Sequence, residues 1–194
     1  MLRYFIIYKP FEVLSQFTTA EQKRTLSDLL KLPPDVYPVG RLDYDSEGLL
    51  LLTNDKQINH RLLNPAFKHQ REYWVQVEGM MGEDAITNLQ TGTLIRIDGK
   101  EFQTSRCEAG IFENEPQVPE RFPPIRERKN IPTSWIHLTL TEGKNRQVRR
   151  MTASVGYPTL RLVRYRIGKL TIGNMQPGDV KELSRSDIYS NLFS

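Results

Sequence analysis

Arg41, Asp43, Asp45 and Glu47 fall within seven residues of one another, in a segment that reads Gly40-Arg-Leu-Asp-Tyr-Asp-Ser-Glu-Gly-Leu-Leu-Leu-Leu-Thr53. Carboxylates at this density can ligate a hard cation, brace a turn, or act on a substrate. The cation option fits poorly. Asp43, Asp45, Glu47 and Gly48 match the opening half of a calcium loop, but the position that needs a bidentate Glu is Asn54. The preceding Tyr37-Pro-Val-Gly40 cannot be an incoming helix. As braces, Asp43 or Asp45 would pair with Arg41, and Asp45 or Ser46 would cap a turn. As a reagent, Asp43 can attack a glycosidic carbon and form a covalent intermediate. A partner arginine would keep it ionised and aim it. The residue types by themselves leave the last two options open.

The four leucines after Gly48 read as a short strand buried on both faces. The acids therefore sit at the lip of a buried strand, where a rigid element can hold a working loop. Other elements follow from pattern. Residues 2–8 predict a strand ended by Lys9-Pro10, and Thr25–Leu30 a short helix stopped by Pro33-Pro34. Lys56–Leu63 predicts a helix with Ile58, Leu62 and Leu63 on one face, capped by Asn54 or Asp55 and ended by Asn64-Pro65. Tyr73–Glu78 alternates as a strand, Glu83–Gln90 reads as a helix, and Leu94–Ile97 with Phe102–Cys107 reads as a hairpin around Asp98-Gly99. Trp135–Leu140 alternates again. Asn145 is placed to cap a helix that buries Val148, Met151 and Val155 and turns Arg146, Arg149 and Arg150 outward. Leu160–Ile167 predicts a basic strand. Strands outnumber helices without regular alternation, so the class is α+β with a mixed, mostly antiparallel sheet. Five of the twelve prolines fall in 113–134, which predicts a long ordered loop or a flexible arm carrying Arg121, Arg126, Arg128 and Lys129.

The net charge of +4 is unevenly spread. Eight of the 27 basic residues lie between Gly143 and Lys169, where there is no acid, and the other 19 face 23 acids, leaving −4 elsewhere. A local basic patch points to a polyanion. No apolar run approaches a membrane span, and no membrane partner is expected. Cys107 is the only cysteine, which excludes an internal disulfide or a Cys-rich zinc site and suits a reducing cytoplasm. His60, His69 and His137 lack metal-ligand spacing and read as surface or packing residues. No self-complementary apolar stripe stands out, so a monomer is expected.

The Gly40–Thr53 segment resembles the catalytic motif of the RsuA family of ribosomal RNA pseudouridine synthases. Further segments agree in order: Lys9-Pro10 with Phe11 and Val13, Tyr73 in Arg-Glu-Tyr-Trp-Val-Gln-Val-Glu-Gly79, and Glu142-Gly-Lys-Asn-Arg-Gln-Val-Arg-Arg-Met151 followed by Leu160–Gly168. Pro123–Trp135 looks most like members acting on the large subunit, which implies 23S ribosomal RNA as partner. Many relatives carry a small S4 RNA-binding domain ahead of the catalytic one. Here the expectation is a single catalytic domain over 1–194 without it, whether one body or two sub-lobes, with a central active-site cleft. RNA affinity would then fall on the catalytic domain's own basic patch.

Carried over by position, the resemblance implies that Asp43 is the catalytic aspartate, Tyr73 the ring that stacks on the base and accepts a proton at C5, and Arg149 the cation paired with the aspartate. It implies that Leu162 lines the uracil pocket and that Arg41 positions RNA or the loop. Lys144, Arg146, Arg150, Arg161 and Arg164 are the expected RNA-binding residues, while Asp45 and Glu47 remain structural. The implied reaction needs no cofactor: the C1′–N1 bond of a uridine breaks, uracil turns in its pocket, and C5 bonds to C1′. Whether the carboxylate attacks C1′ or assists proton abstraction at the sugar stays open. The target nucleotide must leave its stack, at roughly a few kcal/mol. The competing reading is a non-catalytic RNA-binding or ribosome-assembly module on the same fold.

Overall fold

The computed structural model describes residues 1–125 and 131–193. The expected basic positions Arg126, Arg128 and Lys129 lie outside the described residues. Along the chain the strands are β1 (Tyr4–Lys9), β2 (Tyr37–Pro38), β3 (Glu47–Thr53), β4 (Arg71–Glu78), β5 (Leu94–Ile97), β6 (Lys100–Gln103), β7 (Glu108–Ile111), β8 (Thr133–Leu140), β9 (Thr159–Ile167), β10 (Leu170–Thr171) and β11 (Val180–Glu182). The α-helices are α1 (Lys56–Leu63), α2 (Glu83–Thr91), α3 (Gln147–Ser154) and α4 (Arg185–Phe193). The class is α+β, and of the strand pairings described below only β3 with β9 is parallel. No described helix is long and apolar enough to cross a membrane. The chain divides into two compact units, one formed by residues 1–69 and Val163 onward, the other by Gln70–Leu162.

In the first unit β3 is central. It pairs antiparallel with β1, from Tyr4 opposite Thr53 to Lys9 opposite Gly48, and parallel with β9 at Glu47–Val163 and Gly48–Arg164. β11 adds to the outer side of β1. All seven residues of β3 are buried. The period of two sends Leu49 and Leu51 into one core with Tyr4, Ile6, Ile58, Leu62, Ile188 and Leu192. Leu50 and Leu52 enter the opposite core with Phe5, Ile7, Val13, Leu26, Val36 and Leu42. Helices α1 and α4 supply part of the first core, and the 13–42 segment supplies the second. Two covered faces explain why β3 reads as an unbroken apolar run. Each fully buried leucine contributes about 1.5–3 kcal/mol.

Asp55 caps α1 by accepting from Gln57 N–H at 2.9 Å. Leu63 departs from expectation: it stands at the end of the helix and is exposed, so only Ile58 and Leu62 form the buried stripe. The predicted Thr25–Leu30 helix contracts to a single 3-10 turn, Leu26–Asp28.

In the second unit β8 pairs with β4 along all eight residues and with β7 on its other side. Val75, Val77, Ile136, Leu138 and Leu140 share a core with Ile86 and Leu89 of α2 and Val148 and Met151 of α3. The β5–β6 hairpin turns through Asp98 and Gly99, both at positive φ. Its second strand ends at Gln103, short of the expected Cys107. Thr104 turns back there, its hydroxyl taking the Thr93 N–H at 2.9 Å. Asn145 is not the cap of α3. Arg146 holds that position with φ 51°, and Gln147 closes the turn by accepting from Lys144 N–H at 2.9 Å. Val155 falls just past the helix and is only partly buried.

Candidate active-site loop

The loop from Gly40 to Ser46 leads into β3, and its backbone is pinned at several points. Ser15 Oγ donates to the Leu42 carbonyl at 2.8 Å and accepts the Leu42 N–H at 3.0 Å. The Ser46 N–H donates to the Asp43 carbonyl at 3.0 Å, and the Glu12 N–H to the Tyr44 carbonyl at 2.9 Å. Asp43 is thus carried on a tight turn bracketed by the 12–15 segment and is half-buried. Arg41 is exposed and donates to Gln16 Oε1 at 3.1 Å.

Beneath the loop lies Lys9, with no exposed surface. Its Nζ donates to the carbonyls of Pro10 at 2.8 Å and Val13 at 2.7 Å. Burial pushes its pKa down to about 7, against the opposing pull of Glu47, Asp45 and Asp43, while Arg164 adds to the lowering. Glu47 is also buried, which fits a framework role for it rather than contact with a ligand. Gly48 has φ +104°, and a Cβ there would fall 2.4 Å from the Arg164 carbonyl oxygen, so only glycine lets β3 approach β9 this closely. Ser15 was not singled out from sequence. Lys9 stood out only as the end of an apolar strand and within the Lys9-Pro10 segment of the family resemblance, and no role was assigned to it.

The remaining expected site residues divide by exposure. In the second unit Tyr73 lies on β4, half-buried at the margin of the core. Arg149 lies on α3, also half-buried. Lys144 and Arg146 are exposed, Lys144 with its ammonium 4.9 Å from the Phe102 ring centre. Arg150 does not simply face outward: its guanidinium donates to the carbonyl of Asn145 at 3.1 Å and to that of Arg96. Leu162 is buried within the second unit's core.

Arg161 and Arg164, the two residues of the basic strand expected to bind RNA, are both buried. Arg161 is 6% exposed, donates to the Pro119 carbonyl at 2.7 Å and lies 6.0 Å from the Trp135 ring centre. Arg164, in the first unit, is 5% exposed and donates to the Leu49 carbonyl at 2.8 Å. A guanidinium is the cation best suited to such burial because its planar fork satisfies main-chain acceptors while staying charged. The basic run from 144 to 169 is therefore partly internal scaffolding. Among the described residues, no group of three or more His, Cys, Asp or Glu side chains is placed to share a metal ion.

The family model described as RNA pseudouridylate synthase matches residues 3–154, and the chain belongs to that family. A solved pseudouridylate synthase superposes with a TM-score of 0.80 at 25% identity, over 99% of this chain and 74% of the other. Curated relatives carry a more particular name. The chain is 46% identical over 178 residues to ribosomal large subunit pseudouridine synthase E of Vibrio parahaemolyticus, covering 92% of this chain and 72% of the relative. It is 49% identical over 175 residues to the synthase of the same name from Xanthomonas campestris pv. campestris, covering 89% and 91%.

Proposed function

We propose that this protein converts a specific uridine of 23S ribosomal RNA to pseudouridine in the cytoplasm, acting as a single catalytic domain and as a monomer. The observation that carries the reading is the near full-length similarity to relatives named for the large ribosomal subunit. The braced, half-buried Asp43 loop supports it.

In this reading an Asp43 carboxylate oxygen attacks C1′ of the extruded uridine as the C1′–N1 bond breaks. The freed uracil turns and C5 displaces the carboxylate at C1′. The C5 proton then leaves and N1 takes one up, so the reaction is an isomerisation with no net gain or loss of atoms. Tyr73 is the proposed stacking partner of the uracil and the acceptor of the C5 proton, Arg149 the proposed catalytic cation, and Leu162 an apolar wall for the base. Arg41, Lys144 and Arg146, all exposed, are the proposed phosphate contacts. For Arg150, Arg161 and Arg164 we propose that they act on RNA indirectly, by holding backbone carbonyls that shape the elements around them.

Chemical mapping of pseudouridines in ribosomal RNA from cells with and without the protein tests the proposal. Loss of one large-subunit pseudouridine, restored by the gene, is the expected result. An unchanged map would refute the enzymatic reading and leave a non-catalytic RNA-binding role.

A further inference from the structure

Residues 56–69 contain Lys56, Arg61 and Lys68, two of the three histidines, and no acid. The segment is α1 followed by a 3-10 turn, Pro65–Phe67. The turn is rigid by construction. Pro65 opens it, Asn64 Oδ1 accepts the Ala66 N–H at 3.0 Å, and Lys68 closes it in the left-handed region at φ 47°. That conformation costs a lysine roughly 1–2 kcal/mol. Its effect is to hold Phe67 in a position where the residue is 49% exposed.

The ring is not isolated. Phe67 lies 6.2 Å from the His60 ring edge-on and 6.2 Å from His69, which in turn meets Phe193 at 5.3 Å and, through it, Tyr189 at 5.4 Å. Tyr189 is anchored by its hydroxyl on Asp55 at 3.0 Å. The ladder therefore runs from a part-buried hydrogen bond to an exposed aromatic residue, with cations along it. Arg61 sits over Phe193 at 3.6 Å, and Lys68 is exposed beside Phe67. The surface also adjoins the candidate loop. Leu63, 46% exposed, fills the space at Gly40, where a Cβ would fall 3.0 Å from its Cδ2.

We propose that this surface is a second RNA subsite, in which an unpaired nucleotide of the substrate stacks its base on Phe67 and sets its phosphate against Lys68 and Arg61. The inference rests on the reading of the protein as an RNA-modifying enzyme. A preorganised aromatic face among cations, in a stretch with no acid, suits an anionic ligand with flat rings. Nucleotides flanking an extruded uridine are such a ligand, and the Leu63–Gly40 contact places α1 against the start of the loop that carries Asp43.

The test uses the full chain and a radiolabelled in vitro transcript of 23S rRNA, with affinity measured by filter binding at physiological salt. Phe67→Leu keeps apolar bulk and removes the π face, and should weaken binding about ten-fold, within the range for stacking one base. Phe67→Trp should restore it. Lys68→Gly relieves the backbone and removes one charge, and should lower the salt slope by about one. Ultraviolet cross-linking should place an RNA adduct on Phe67. Wild-type affinity in Phe67→Leu overturns the subsite, as does equal weakening in Phe67→Trp accompanied by lost thermal stability, or a wild-type protein that does not bind the transcript. A protein that binds in this Phe67-dependent way yet converts no uridine would overturn the enzymatic reading and leave the subsite standing.

Discussion

Ser15 and Leu42 are joined by a reciprocal pair of hydrogen bonds, one hydroxyl satisfying both the carbonyl and the N–H of a buried residue 27 positions away. Leu42 precedes Asp43, so the clamp fixes the backbone from which the carboxylate projects. Ser15→Ala would leave a buried donor and acceptor unmet, and stability should fall by about 1–3 kcal/mol. Urea unfolding measures the loss, and initial rates should show turnover falling more steeply than the folded fraction. Equal losses would mean that the clamp serves stability alone.

Asp43→Asn keeps the shape of the side chain and removes the nucleophile. Circular dichroism and transcript binding should match wild type, while pseudouridine formation drops below detection. Turnover near the wild-type rate would remove Asp43 from the mechanism.

Lys9 makes stability depend on pH in a predictable direction. Its pKa is about 7 in the folded protein against an ordinary value of 10.5. Between those values the unfolded chain holds a proton that the folded chain has released, so stability from this group rises as pH increases from about 7 toward 10.5. The slope is at most ~1.4 kcal/mol per pH unit. Below 7 both states are protonated and the contribution is flat. The difference in unfolding free energy between wild type and Lys9→Met should climb through this window, and parallel pH profiles would contradict the assignment.

Buried and exposed cations should separate experimentally. Arg161→Met and Arg164→Met strip donors from main-chain carbonyls and should each lower stability by about 1–3 kcal/mol. Lys144→Gln and Arg146→Asn should leave stability nearly unchanged and reduce the salt dependence of RNA binding by about one each. The reverse pattern would restore the view of β9 as a phosphate-binding strand.

Much of the framework was legible because local pattern and tertiary environment agree. The four leucines between Gly48 and Thr53 form the doubly buried strand their composition implies, since both cores take alternate residues from it. Tyr73–Glu78 and Trp135–Leu140 pair as the strands their alternation suggests. Asp98-Gly99 makes the hairpin turn, because both positions adopt positive φ. Failures cluster at ends, where propensity is weak. Asn145 lost the cap of α3 to Arg146, and Leu63 fell outside the buried stripe by one position.

The linear order of residues was enough to determine the α+β class, the membership of the chain in a family of RNA pseudouridylate synthases, and the loop worth attention, because periodicity and short motifs are properties of neighbours. It could not reveal that Lys9 is sealed beneath that loop, that Ser15 clamps it, or that Arg161 and Arg164 point into main chain rather than solvent. Burial of a charge is decided by what distant segments bring around it. A lysine or arginine is written identically whether it meets water or a carbonyl, and only the folded chain distinguishes them.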